Sequence, residues 1–216
     1  MTAVAATSRK DIRFWNRIAD KYARSPIADE ASYLKKLEMT RALLTPDSDV
    51  LELGCGTGST AIAHAPFVKR IVATDISARM LEFADAKARE AGADNVEFRQ
   101  ASFDEAAAGG GDFDVVLCLS LIHLLPNRED AIRKVLDLLK PGGVFVSSTA
   151  CLRDMNPLIR LILPLGRAVG LFPSVEVFRG DDLLQSVRDA GFTIEHSWRP
   201  AKDKAMFIIA RKPGGP

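Results

Sequence analysis

The sequence is short of most features that would mark out a specialised class. Only three cysteines occur in 216 residues, Cys55, Cys118 and Cys151. Their number is odd and none are spaced as CxxC, which argues against a disulfide framework and a zinc site. No metal is expected, and a reducing cytoplasm is the expected location. Neither sign of charge prevails: 29 Lys and Arg stand against 28 Asp and Glu, a net charge of +1. A nucleic-acid partner, which calls for a strongly basic face, is therefore not expected. No run of 18 uncharged apolar residues occurs, and the opening MTAVAATSRKDIRFW lacks the apolar stretch of a signal peptide. There is no internal repeat, and the one low-complexity stretch, AAAGGGD (106–112), reads as a flexible loop.

What is present is an alternation. Apolar runs of strand length fall at 49–53, 70–76, 95–101, 113–121 and 142–149, with helical patterns between them. Ser77 can cap the helix after the second run and Gly92 can end it. A further helix is expected from about Asn127 to Leu139. Strands alternating with helices predict an α/β fold with a parallel sheet covered on both faces. The last two runs, 192–198 and 205–212, are joined by RPAKDK, too short for a parallel crossover, so they form an antiparallel pair. Residues 1–9 and 212–216 read as loose tails. The length suits one domain with a large core, so 1–216 is read as a single domain.

The first strand run leads into LELGCGTGST (51–60), with three glycines in five positions. A strand, a glycine-rich turn and a helix N-terminus present free backbone N–H groups and let a ligand come close to the chain. A dinucleotide fingerprint places its glycines first, third and sixth. Gly54 and Gly56 fit that spacing, but the sixth position is Ser59 and the third glycine is Gly58. A phosphate-binding loop would need a lysine that is absent. Glu52, inside the strand, suits a ligand carrying an ammonium group better than one carrying a pyrophosphate.

This acid-and-glycine pattern, together with ATDIS at the end of the next strand, the TDIS..ML segment and LLKPGG, resembles the class I S-adenosylmethionine-dependent methyltransferases. The likeness runs from about Trp15 to Arg211, and is nearest to the small-molecule branch that includes ubiquinone and menaquinone methylases. The resemblance implies a Rossmann-like, doubly wound, seven-stranded, mostly parallel sheet with a reversed C-terminal hairpin, and S-adenosylmethionine as cofactor. It places Gly54, Cys55, Gly56 and Gly58 around the methionine part of that cofactor, with Glu52 near its ammonium directly or through water. Asp75 would accept both ribose hydroxyls; its other reading is an acid at the start of a helix. Ile76 and Met80 would contact adenine and ribose. The family's usual acid at the end of the third strand is missing. Ser102 stands there, with Phe103 offering a backbone N–H and Asp104 as a substitute acid.

On the acceptor side, the fourth strand ends in CLSLIHLLP, which brings Leu119, Ser120 and His123 to the rim. His123 is read either as a general base or acceptor-orienting group, or as a structural histidine. His64 and His196 are read as packing or surface residues. In FWNRIADKYARS, Phe14, Ile18 and Tyr22 recur at helical spacing. Relatives fold such a segment over the cofactor as a lid, so residues 1–45 are expected to form N-terminal helices or a lid, with Tyr22 touching cofactor or acceptor and a candidate for catalysis.

Residues 151–178 form a helical insertion or cap. Arg153, Arg160 and Arg167 are seven residues apart, Leu158, Ile159, Ile162, Leu165, Val169 and Phe172 are apolar, and Pro164 would break a helix. Core helix, lid over a hydrophobic acceptor, and peripheral membrane contact all remain open for this segment. The expected activity is methyl transfer to a small, hydrophobic acceptor. The alternative is a non-catalytic module that senses the cofactor or holds a partner; a related aminopropyl transferase is a third possibility. Oligomeric state is not indicated.

Overall fold

The computed structural model describes residues 9–155, 163, 166 and 172–215. Two helices come first, α1 (Arg9–Arg24) and α2 (Glu30–Arg41), followed by β1 (Asp49–Leu53), α3 (Ser59–His64), β2 (Arg70–Asp75), α4 (Ala78–Ala91) and β3 (Val96–Gln100). The chain continues through α5 (Phe103–Ala107), β4 (Phe113–Leu119), α6 (Arg128–Leu138) and β5 (Leu139–Thr149). A short α7 (Leu152–Met155), then α8 (Gly180–Asp189), β6 (Thr193–Trp198) and β7 (Met206–Arg211) complete the order.

The strands form one seven-stranded sheet in the order β3-β2-β1-β4-β5-β7-β6. The first five run parallel; β7 pairs antiparallel with both β5 and β6, giving the reversed hairpin. The interior strands are buried on both faces, as parallel strands covered by helices must be. Val50, Leu51 and Leu53 of β1 and Val115 to Cys118 of β4 are all 2% exposed or less. One apolar layer joins Leu51, Val116 and Phe145 to α6 and α8; the other joins Val50, Leu117 and Val146 to α3 and α4. The chain winds outward from β1 to β2 and β3, then returns to β4 on the other side of β1. That reversal opens a crevice beyond the strand ends. In register, Leu53 lies beside Thr74 of β2 and Cys118 of β4, so the three strands stop together.

Local capping sets the helix starts. Ser77 accepts the Met80 N–H at 3.1 Å and Asn127 accepts the Asp130 N–H at 3.0 Å. Gly92 ends α4 in the left-handed region at φ 64°. Several boundaries differ from those expected. β4 ends at Leu119 rather than 121, because Ser120 turns the chain at φ 61° and a single 3₁₀ turn follows. β5 starts at Leu139, taking in Lys140 to Gly143. Ala106 and Ala107 belong to α5 rather than to a loop. Gly111 lies against the end of α6, where a Cβ would sit 2.0 Å from the Asp137 carbonyl oxygen, so that stretch is packed and not a mere spacer. Arg9 already belongs to α1. Of the 151–178 segment, Leu158, Ile159, Arg160, Ile162, Pro164, Leu165, Arg167 and Val169 lie outside the described residues, and so do the lid and membrane readings that rest on them. Among the described residues, no helix is long and apolar enough to cross a membrane.

His64 is fully buried at the end of α3, and neither ring nitrogen has a hydrogen-bond partner. Burial, then the nearby Arg41 charge, lowers its pKa to about 4. Unfolded chains take up this proton from about pH 6.5 downward while the folded chain refuses it until about pH 4. Stability is therefore lost as pH falls through that window, on the order of 2–3 kcal/mol for this group. His64→Leu should flatten the fall of the melting temperature between pH 6.5 and 4.5, measured by circular dichroism. A melting profile that keeps its wild-type slope would contradict this.

Candidate active site

A cavity of about 780 Å³ opens beyond the C-terminal ends of β1, β2 and β4. Gly54, Gly56, Asp75, Ile76, Met80, Phe103, Leu119, Tyr22 and His123 line it together, although they come from seven separate parts of the chain. Four other expected site residues do not line it: Glu52, Cys55, Gly58 and Ser102.

The glycine turn explains part of this division. All three glycines have positive φ, 70° at Gly54, 55° at Gly56 and 74° at Gly58, but they serve different ends. At Gly56 an added Cβ would find only the Tyr22 ring, at 3.8 Å, so the space over it belongs to the cavity. At Gly58 a Cβ would collide with Ala84 of α4 and Phe98 of β3, both at 2.8 Å. Gly58 is a packing glycine. Cys55 turns its side chain into the apolar layer with Val50 and Ala61, where burial pushes the thiol well up.

Asp75 organises the site. One carboxylate oxygen accepts the Gly56 N–H at 2.9 Å, and the other accepts the Ser77 N–H at 2.9 Å. It thus ties the glycine turn to the end of β2, while Ser77, not Asp75, caps α4. Burial raises the Asp75 pKa; the N–H groups of Ser77, Gly56 and Ile76 oppose that shift. Glu52 lies beneath the turn, 2% exposed, accepting the Ala61 N–H of α3 with one oxygen and leaving Oε2 unpartnered. Burial, then the Asp75 charge, pushes Glu52 up to about 8, so it is mostly protonated at pH 7. Tyr22 is half exposed at the cavity mouth; desolvation, then Asp75 and Glu52, raise its phenol.

At the end of β3, Ser102 is occupied in a capping box. Its hydroxyl accepts the Glu105 N–H while the Glu105 carboxylate accepts the Ser102 N–H at 2.8 Å. Phe103 and Asp104 line the cavity in its stead, with Asp104 paired to Lys134 at 2.8 Å. On the opposite wall, Ser120 is the only non-glycine among the described residues with positive φ. Its N–H donates to the Ser148 carbonyl at 2.7 Å, and the next side chain, Leu121, packs against Gly54. A non-glycine held there costs on the order of 1 kcal/mol or more. His123 lines the cavity with Leu121, Leu124 and Leu125, its Nδ1 buried and without a partner. Burial lowers its pKa to about 4.

Sequence reasoning expected N-terminal helices or a lid from residues 1–45 but missed the contact that ties α1 to the far side of the cavity. Asp11 of α1 accepts both the Ser174 N–H at 2.9 Å and the Ser174 hydroxyl at 3.0 Å, and both residues line the cavity beside Trp15 and Pro173. Helix α1 is also fixed to α4: Asn16 accepts the Ser77 hydroxyl at 2.7 Å, and Asp20 pairs with Arg79 at 2.8 Å. With 163 positions between Asp11 and Ser174, no local pattern could have signalled the contact.

Residues 50–143 match the family model for the methyltransferase domain. The chain is 33% identical over 97 residues to an uncharacterized methyltransferase, YcgJ, of Bacillus subtilis, covering 45% of this chain and 38% of that protein. It is 29% identical over 182 residues to a ubiquinone biosynthesis O-methyltransferase of Leptothrix cholodnii, covering 74% of this chain and 76% of the relative. A third match, to the enzyme of that name from Albidiferax ferrireducens, spans 40% of it, so the chain covers less than half of some of these relatives. The crystal structure of YcgJ superposes with a TM-score of 0.68 at 19% identity, over 84% of this chain and 99% of that one. An O-methyltransferase family protein from Burkholderia thailandensis gives 0.73 at 19% identity, over 94% and 63%. Fold, glycine turn and family match together support a class I S-adenosylmethionine-dependent methyltransferase. The cofactor of that class is S-adenosylmethionine, and the open space over Gly56 beside the Asp75 carboxylate fits it.

The two glycines should separate by experiment. Gly58→Ala should lower the melting temperature, since overpacking costs about 1–3 kcal/mol. Gly56→Ala should instead weaken S-adenosylhomocysteine binding, measured by calorimetry, more than it lowers stability. Equal effects on binding and stability from both variants would contradict the division.

Proposed function

We propose that this protein transfers a methyl group from S-adenosylmethionine to a hydroxyl oxygen of a small acceptor with an apolar, aromatic body. The observation that carries this reading is a single cavity lined by two chemically distinct sets of groups. The Asp75 carboxylate and the open face of Gly56 supply one; the side chains of Trp15, Leu121, Leu124, Pro173 and the uncharged His123 supply the other. The O-methyltransferase names of the relatives favour oxygen as the accepting atom.

S-adenosylmethionine supplies an electrophilic methyl group on a sulfonium centre. Asp75 would hold the ribose diol with the lone pairs left over from its bonds to Gly56 and Ser77. Ile76, Met80 and Phe103 provide apolar walls for the adenine. Tyr22 and Trp15, with the Asp11–Ser174 contact above, keep water from the reacting atoms. His123, neutral at pH 7, would accept a hydrogen bond from the acceptor hydroxyl. With its pKa near 4 it is a weak base, so alignment supplies most of the rate.

The reading is tested by incubating the protein with methyl-labelled S-adenosylmethionine and a panel of catechols (including 4-tert-butylcatechol), phenols, amines and phospholipids. Label in the catechol ether supports it. Label confined to amines, or tight S-adenosylhomocysteine binding with no transfer, would contradict it; the second result would mark a cofactor-sensing module.

His123→Ala should leave S-adenosylhomocysteine affinity unchanged and lower kcat by less than about 100-fold, the low end of general-base effects. Because the neutral imidazole is the useful form, the wild-type acid limb attributable to His123 should fall near pH 4. A loss well beyond 100-fold, or an acid limb at pH 6.5 removed by the substitution, would show His123 acting as an efficient base.

A further inference from the structure

Backbone strain in the cavity wall has no structural purpose that glycine would not serve better. Ser120 occupies the left-handed region at φ 61°, alone among the described non-glycine residues, and it does so where β4 ends on the ligand side. The conformation itself is needed: it turns the chain off β4, lets the Ser120 N–H reach the Ser148 carbonyl at 2.7 Å and drops Leu121 onto Gly54. Lys36 steadies that support, donating from Nζ to the Ser148 hydroxyl at 2.9 Å. Glycine would make the same turn without a Cβ penalty, as it does at Gly54, Gly56 and Gly58 in the turn after the neighbouring strand β1.

The Ser120 side chain is exposed and lines the cavity, between Leu119 on one side and Leu121 and His123 on the other. In a wall this apolar, a strained position that carries a hydroxyl points to use of the hydroxyl. A serine hydroxyl both donates and accepts, so it can bond an acceptor oxygen in either protonation state. Neutral His123 can only accept at the nitrogen that lacks a proton.

We propose that Ser120 is the residue that selects and orients the methyl acceptor, through a hydrogen bond from its hydroxyl to a hydroxyl or phenolate oxygen of the acceptor. The inference rests on the methyl-transfer reading given above. It implies preference for acceptors with a second oxygen next to the methylated one, one for Ser120 and one for His123.

Ser120→Ala and Ser120→Gly separate the parts of the argument. Alanine keeps the strain and removes the hydroxyl; glycine removes both. Three quantities are measured on each: melting temperature, S-adenosylhomocysteine affinity by calorimetry, and KM and kcat with 4-tert-butylcatechol. Ser120→Gly should melt above wild type and Ser120→Ala close to it. Both should keep cofactor-product affinity within about twofold, while the catechol KM rises about fivefold or more, the size of one neutral hydrogen bond. Discrimination between 4-tert-butylcatechol and 4-tert-butylphenol should narrow in both variants. Wild-type kinetics in Ser120→Ala, or parallel loss of S-adenosylhomocysteine affinity, would overturn the proposal. Wild-type protein inactive toward every acceptor would overturn the methyl-transfer reading first, and this inference with it.

Discussion

The Asp75 carboxylate is the constraint on which the site depends. β1 and β2 end side by side, and the turn after β1 is tied to β2 by one backbone bond, from the Cys55 N–H to the Thr74 carbonyl at 2.9 Å. By accepting the Gly56 N–H on one oxygen and the Ser77 N–H on the other, Asp75 sets the glycine turn and the start of α4 against a common point. Left-handed glycines make that turn possible, and the carboxylate decides which of the available conformations it takes. The α1 roof depends on the same corner. Asn16 and Asp20 hold Ser77 and Arg79, so the helix that brings Tyr22 over Gly56 is anchored one and three residues beyond Ile76.

The electrostatics of the cavity follow from burial. Glu52 under the turn is mostly protonated at pH 7, because Asp75 already carries charge nearby and water is excluded. His123 is neutral because burial lowers its pKa to about 4. The chamber is lined largely by apolar side chains, with Asp75 at its glycine turn, and the proposed function seats a cationic ligand with sugar hydroxyls and an uncharged acceptor there. Chemistry that needs chiefly alignment is compatible with a site that has no strong base, and among the described residues no His, Cys, Asp or Glu cluster could hold a metal ion.

The sheet was legible because its signals are local. Continuous apolar runs, the Ser77 cap, the Gly92 stop and the short link between the last two strands each act within a few residues. The glycine turn and the acid at the end of β2 were legible for the same reason. What the pattern could not distinguish is which glycine faces a ligand and which faces the core: Gly58 and Gly56 look alike in sequence, and only Ala84 and Phe98, brought in from α4 and β3, tell them apart. Ser102 misled because a serine at the end of β3 serves equally well as a helix cap, and Glu105 three residues on was the signal for that. The Asp11–Ser174 contact and the strain at Ser120 are products of the assembled fold, with no counterpart in any short window.

The most direct test of this account is the affinity of Asp75→Ala for S-adenosylhomocysteine, measured by titration calorimetry against wild type. Asp75 shapes the turn and, in the proposed function, gives its remaining lone pairs to the ligand, so the account predicts a loss of about 1.5–3 kcal/mol, at least tenfold in Kd, the range for hydrogen bonds to a charged group. An unchanged dissociation constant, whatever happens to the melting temperature, would contradict it.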